Sequence, residues 1–296
     1  METHVVLIGF GEAASAFVGG WATRPATLVA YDIKTDDPAG ARAKQAEYRA
    51  AGVDGAPTLA DALRGGRAIL SLVTADQALA AATRAAAQID PGALWFDMNS
   101  VAPDTKRAAA RAIEAAGGLY VDVAVMSPVH PARAAVPLLL SGPHAEAGAA
   151  MLRAIGFTRV RVVRGEVGRA SSIKMIRSVM VKGIEALTAE CVLAADRADV
   201  LDEVLASLDA SPPPPGWAAR ADYNLDRMMV HGLRRAAEME EVVKTLDALG
   251  TGSAMTRATV ERQRAIGARG HRWPPTGLEE KLAALDPPED GEADAA

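Results

Sequence analysis

His4-Val5-Val6-Leu7-Ile8-Gly9-Phe10-Gly11-Glu12-Ala13-Ala14 is the stretch whose reading decides the fold class. Val5 to Ile8 is a short apolar run of strand type, and G-x-G-x-x-A follows it without a gap, opening a helix over 13–21. Each small residue has a physical reason. Gly9 permits the tight turn, Gly11 lets backbone approach a pyrophosphate, and Ala14 lets helix and strand pack closely. The helix N-terminus then offers unpaired N–H groups and a positive dipole end to the phosphates, so Gly9, Phe10, Gly11, Glu12 and Ala13 are expected to bind the cofactor. A second strand over 27–31 ends in Asp32, about 20 residues past the first glycine, where a carboxylate accepts the ribose hydroxyls of NAD. Asp32 should repel a 2′-phosphate and so selects NAD. Lys34 could neutralise such a phosphate, which keeps NADP as the alternative.

Outward from this unit the alternation continues. Helices are predicted over 39–52, 59–64, 77–88, 103–116 and 145–155, and strands over 67–73, 93–97, 119–123, 137–141 and 160–163. Strands alternating with helices give a Rossmann-type α/β domain with a doubly wound, mainly parallel sheet. Ligands bind such sheets beyond the carboxyl ends of the strands. That rule selects Val73 and Thr74 at one strand end, Asn99 and Ser100 at another, and Met126-Ser127-Pro128 at a third. Asn99, Ser100 and Ser127 suit a substrate carboxylate or hydroxyl, or the cofactor carboxamide. The plainer alternatives are that Ser100 caps the helix from 103 and that Ser127-Pro128 is a turn.

Residues 165–193, GEVGRASSIKMIRSVMVKGIEALTAECVL, predict one long helix over about 168–196. At ~1.5 Å per residue it would span roughly 40 Å. Apolar residues on most of its sides predict burial on most sides, as in a rod between two domains. Lys174, Ser178 and Lys182 share one face, with Arg177 beside them. Cations on a buried helix are costly unless they line a cleft or meet anions. Cys191 on the same helix is expected to be a buried, inert thiol.

Beyond it the pattern is all helical: 200–208, a rigid break at 211–215, then 217–230 and 233–249 separated near Gly232, then 253–266 and 278–285. The expected organisation is a Rossmann domain over 1–164, an all-α domain over 165–286 and a disordered acidic tail over 287–296. His231, Arg234 and Arg235 fall at a predicted helix junction. They form either a solvated face with pairs such as Arg234–Glu238, or a group in which His231 or Arg234 projects into an interdomain cleft toward an anionic substrate or the cofactor.

The chain has 296 residues, a net charge of −5 and a single cysteine. The charge argues against a nucleic-acid binder, and one cysteine allows no internal disulfide and suits a reducing compartment. No run approaches a membrane span, and no His, Cys, Asp or Glu spacing suggests a metal site. A cytoplasmic protein with a small-molecule substrate is expected.

With these residues laid out, the chain resembles the β-hydroxyacid dehydrogenase family, the 3-hydroxyisobutyrate and 6-phosphogluconate dehydrogenase-like enzymes. The resemblance rests on GFGEAA, on DMNS followed by Val-Ala-Pro, on VDVAVMSP and on GEVGRASSIKMIRS. It implies a Rossmann domain, a long interdomain helix and an all-α domain through which homodimers form. It also implies that Lys174, which follows the Gly165 and Gly168 pair at the family spacing, is the catalytic group. Ser178 then stands where the family has Asn, and Ser100 where it has Ser or Thr. The family's substrate loop usually reads Asp-Ala-Pro-Val-Ser-Gly-Gly, whereas residues 122–128 lack both glycines, and the family's Lys-Asp pair of the second domain appears as His231-Gly232. Retained chemistry on a different, anionic acid is the expectation, with Lys174 as general acid/base and Ser100, Met126, Ser127, Pro128 and Arg177 around the substrate. The alternatives are an imine reductase, a group that usually lacks this Lys, and a non-catalytic dinucleotide-binding protein.

Overall fold

The computed structural model of the chain describes residues 3–23, 25, 27–211, 216–271 and 273–285. Most of the expected break at 211–215 and all of the expected acidic tail lie outside them. The chain divides into two compact units, 1–179 and 180–296.

The first unit runs β1 (His4–Ile8), α1 (Glu12–Val18), β2 (Thr27–Tyr31), α2 (Pro38–Ala51), β3 (Asp54–Gly55), α3 (Leu59–Leu63), β4 (Ala68–Ser71), α4 (Ala78–Ala86), β5 (Leu94–Asp97), α5 (Pro103–Ala115), β6 (Leu119–Val125), β7 (Leu138–Ser141), α6 (Ala145–Ala154) and β8 (Val160–Val162). Among the described residues these strands form one eight-stranded sheet in the order β3-β2-β1-β4-β5-β6-β7-β8. Every neighbouring pair is parallel except β6 with β7. A parallel return needs a crossover of about a dozen residues, usually a helix. The link before β7 carries Pro128, Pro131 and Pro137 and only a short 3-10 turn, so the chain comes back antiparallel.

Both sheet faces are covered. Val5, Leu7, Phe96 and Val121 pack into one core, and Val6, Ile8, Ile69 and Trp95 into the other. Burial on both sides is why these strands read as continuous apolar runs rather than alternating ones. The two-residue β3 went unpredicted because Asp54-Gly55 has no strand character of its own; its pairing with Val29 and Ala30 creates it.

The long helix α7 (Arg169–Arg197) has 29 residues. It departs from expectation in one respect. Ile176 is 71% exposed, Val179 70% and Leu193 59%, and Met180, Ile184 and Leu187 are also exposed. Cys191 is exposed as well, not buried. Apolar residues circle this helix, while one chain covers only part of its circumference.

The second unit adds α8 (Leu201–Asp209), α9 (Trp217–Leu249), α10 (Ala254–Gly267) and α11 (Leu278–Leu285). The two helices expected over 217–249 are the single helix α9. Gly232 does not end a helix; it lets another helix close in. A Cβ on Gly232 would stand 2.4 Å from the Gln263 carbonyl oxygen, and one on Gly267 would stand 2.5 Å from Leu233 N. Lys281 of α11 is buried between Asp222 and Asp226 of α9, at 2.9 and 3.1 Å.

Glu190 of α7 starts α10. Its carboxylate accepts the Met255 and Thr256 N–H groups, each at 2.9 Å, and the Thr256 hydroxyl. Burial alone would raise the Glu190 pKa, but these hydrogen bonds outweigh it and hold the carboxyl below its ordinary value.

Two outcomes follow for stability. Gly232→Ala should force α9 and α10 apart and cost about 1–3 kcal/mol in urea unfolding. Glu190→Gln should cost about 1 kcal/mol at neutral pH. A depressed folded-state pKa stabilises above the unfolded value of about 4.3, and the gain disappears as pH falls through the folded value. The stabilities of wild type and Glu190→Gln should therefore converge below about pH 4.

Candidate active site

A cavity of about 250 Å³ opens beyond the carboxyl ends of β1, β2 and β4, and Gly9, Gly11, Asp32, Lys34, Val73 and Thr74 are among its lining. The two glycines differ in role. Gly9 has φ +86°, and a Cβ there would meet the Leu72 carbonyl oxygen at 2.6 Å, so no other residue fits. A Cβ on Gly11 would meet nothing within 4 Å, so the protein alone does not require this glycine. The open space over Gly11 fits a group brought from outside, such as the pyrophosphate of a dinucleotide.

Asp32 accepts the Phe10 N–H at 2.9 Å on one oxygen and the Lys34 N–H at 3.0 Å on the other. A carboxylate has about four lone-pair sites, so ribose hydroxyls can still be accepted. From below, Lys44 of α2 donates to the Phe10 carbonyl at 2.7 Å and lies 4.0 Å from Asp32. Asp32 and Lys44 thus hold the Phe10 peptide from both sides and set the path of the Gly9–Gly11 turn. Phe10 contributes a clamped peptide, its N–H taken by Asp32, and a buried ring packed edge-on against Tyr48. Tyr31 closes one wall: its hydroxyl donates to Asp36 at 2.7 Å and accepts from Arg84 at 3.2 Å. Burial, then the Asp36 bond, pushes this phenol up to about 12, so it stays neutral.

The lysine end lies at the next strand. Lys174 Nζ donates to Ser100 Oγ at 2.6 Å. Ser100 follows Asn99, which is buried and hydrogen-bonded into the strand ends: its Oδ1 accepts Val73 N–H at 2.8 Å, and its Nδ2 donates to Ser71 Oγ at 2.9 Å and Asp97 Oδ1 at 2.8 Å. Asn99 is thus a brace between two strand ends, one of which carries cavity-lining Val73. Ser178 donates to the Lys174 carbonyl at 2.9 Å, a bond along the helix rather than to the ammonium. Arg177 leans toward the Met126 carbonyl at 3.5 Å. Ser127 is exposed and donates to the Pro128 carbonyl at 3.2 Å. Glu12 is exposed in the first turn of α1, and Ala13 is half-buried beside it.

The structure thus brings Lys174, Ser178 and Arg177 together with Ser100 and Met126, and groups Gly9, Gly11, Asp32, Val73 and Thr74 around the cavity. His231 belongs to the second unit, exposed in the middle of α9 rather than at a helix junction.

Beneath the strand ends lies a polar cluster that sequence reasoning missed. Lys106 of α5 is fully buried, 2.9 Å from Asp97 Oδ1 and 3.6 Å from Asp122 Oδ1. Tyr120 donates to Asp97 Oδ2 at 2.7 Å, and burial together with that neighbouring charge keeps its phenol protonated. A signal existed. Lys106 shares a helical stripe with Ala109, Ala110 and Ile113, so its register is that of the core; Lys44 likewise lies one turn before buried Tyr48.

Residues 4–162 match the family model described as the NAD binding domain of 6-phosphogluconate dehydrogenase, and by this match the chain belongs to that family. Residues 195–266 match a second model, described as a domain of unknown function, DUF1932. Among solved structures, a conserved hypothetical protein from Sinorhizobium meliloti 1021 is 38% identical with a TM-score of 0.60, over 96% of each chain. A conserved protein of unknown function, MTH1747, reported as structurally similar to 3-hydroxyacid dehydrogenases, is 26% identical with a TM-score of 0.58, over 96% of this chain and 100% of its own. An imine reductase from Myxococcus stipitatus in complex with NADP+ shares the fold, at 19% identity and a TM-score of 0.69, over 90% of this chain and 95% of its own. No curated protein matches the sequence. No described helix is long and apolar enough to cross a membrane.

The two glycines separate stability from cofactor binding. Gly11→Ala should leave the melting temperature within about 2 °C of wild type. In a fluorescence titration it should weaken NADH binding by about tenfold or more. Gly9→Ala should instead fail to fold stably.

Proposed function

We propose that this member of the family is an NAD-dependent oxidoreductase that transfers a hydride between the nicotinamide and a small hydroxy acid of 3-hydroxyacid type, or its keto partner, with Lys174 as general acid/base. The observation that carries the reading is the 2.6 Å bond from Lys174 Nζ to Ser100 Oγ at the carboxyl end of β5. Through Asn99 and Val73, that strand end is continuous with the cavity wall.

The nicotinamide supplies the hydride acceptor or donor. In the reductive direction the Lys174 ammonium gives a proton to the substrate carbonyl oxygen and offsets the charge developing there. In the oxidative direction the neutral amine takes the hydroxyl proton. Ser100 holds Nζ on the strand-end side throughout. Arg177, beside the Met126-Ser127-Pro128 loop, takes the substrate carboxylate where this loop lacks the glycines whose amides would otherwise approach it. Asp32, at the ribose position, supports NAD over NADP, although Lys34 and Arg84 line the same cavity. The uncovered apolar residues of α7 support the expected homodimer, formed by a second copy over this helix and its domain.

The tests run in sequence. Titration with NADH and with NADPH should show tighter binding of NADH. Turnover is then screened on 3-hydroxy acids with NAD, and on their keto partners and cyclic imines with NADH. Lys174→Ala should lower kcat by about 100-fold or more with NADH affinity little changed. Arg177→Met should raise KM for acids by about tenfold or more and leave kcat nearer normal. Turnover of imines but not of acids or keto acids would transfer the assignment to an imine reductase. Failure to bind either nucleotide would remove it altogether.

A further inference from the structure

Asp97 and Asp122 are register partners on β5 and β6, two carboxylates at one level of adjacent parallel strands. Neither is exposed beyond 1%, and Lys106 between them is 0% exposed. Besides its two ion pairs, Lys106 donates to the Asp97 carbonyl and to the Val123 carbonyl at 3.4 Å. Burying three ions costs several kcal/mol each before pairing repays it, and apolar replacements often stabilise as well or better. Such a cluster therefore needs a reason other than stability.

The connections of Asp122 supply one. Its Oδ2 accepts the Gly168 N–H at 3.0 Å, the Ser171 N–H at 3.2 Å and the Ser141 hydroxyl at 3.0 Å, and its Oδ1 accepts the Ser171 hydroxyl. Ser141 Oγ in turn accepts the Ala170 N–H at 3.0 Å. The Ala170 and Ser171 amides of the first turn, with that of Gly168 before it, thus go to side chains of β6 and β7, while the Arg169 amide is taken by the Glu166 carbonyl. The carboxylate also sits at the positive end of the helix dipole. Anchoring the first turn fixes both the tilt and the rotation of α7, and Lys174, three residues past Ser171, lies about 5 Å further along its axis. On the other side, Asn99 N–H and Nδ2 both go to Asp97 Oδ1, at 3.0 and 2.8 Å, which places Ser100. Both ends of the Lys174–Ser100 contact descend from the same buried cluster.

We propose that Asp97, Lys106 and Asp122 form an ionic anchor that positions Lys174 against Ser100, with Asp122 the positioning residue acting through the first turn of α7. The functional weight of this anchor rests on the reading of Lys174 as the proton-transfer group; its effect on the position of Lys174 does not.

The test needs no substrate. The full-length protein is labelled with trace acetic anhydride across a pH series, and the acetylation of each lysine is read by peptide mass spectrometry, with exposed Lys34 and Lys182 as internal standards. Asp122→Asn should raise the reactivity of Lys174 relative to those standards by about threefold or more, as expected for loss of a fixed hydrogen bond. Buried Lys44 and Lys281 should stay protected, and NADH affinity should stay within about twofold of wild type. Lys174 reactivity rising by less than that overturns the proposal. So does a parallel rise at Lys44 and Lys281, which marks general loosening. Should Asp122→Asn not fold, Ser171→Ala removes one strut of the same anchor and is read in the same way. Loss of the turnover assignment leaves this result standing, and an unmoved Lys174 removes the anchor whatever turnover shows.

Discussion

Asp122 accepts the amides of Gly168 and Ser171, 46 and 49 residues further along the chain, and the start of α7 is defined by that acceptance. A helix leaves its first amides without internal partners, and local capping residues usually take them. Here a carboxylate inside the sheet takes them, so the helix cannot change its entry angle without stranding a buried charge. Removing one partner of such a pair costs more than the pair contributes, because the remaining charge stays buried. The geometry around Lys174 inherits this constraint.

The dinucleotide end follows the same logic with opposite polarity. There a carboxylate and an ammonium, Asp32 and Lys44, grip the two sides of the Phe10 peptide. Gly9 is demanded by the protein's own backbone, whereas Gly11 is demanded by nothing within 4 Å. A glycine that the fold does not need, at the mouth of a cavity, is informative about a ligand precisely because packing does not explain it. Asp32 shapes the turn, and in the proposed reading it also presents lone pairs at the ribose position. The second alone would be compatible with a mobile side chain; the first makes it rigid and leaves Lys44 close enough to temper its charge.

Legibility divides along physical lines. The G-x-G-x-x-A turn, the strand ending in Asp32 and the alternation to residue 162 were readable because each is a local pattern in apolar period and backbone freedom. The long helix was readable too, but its burial was not: apolar residues all around a helix state that the surface must be covered, not that one chain covers it. Ile176 and Val179 show the difference. Gly232 was misread as a break because glycine signals both a helix end and a close approach. Only its partner, Gly267 on α10, distinguishes the two.

Pairing at long separation was the least legible of all. Lys106 could be suspected from its place on an apolar stripe, but nothing local names Asp97 and Asp122 as its partners, nor Asp122 as the cap of a helix in another part of the chain. Asn99 shows the same limit from the other side. Its position at a strand end made it a reasonable ligand-binding group, yet its hydrogen bonds run to Val73, Ser71 and Asp97. It serves the site by joining β4 to β5, which keeps the cavity wall and the Ser100–Lys174 contact in one rigid frame. A polar residue at a strand end can act on a ligand directly or hold the residues that do, and the distinction depends on which of its donors and acceptors the fold has already taken.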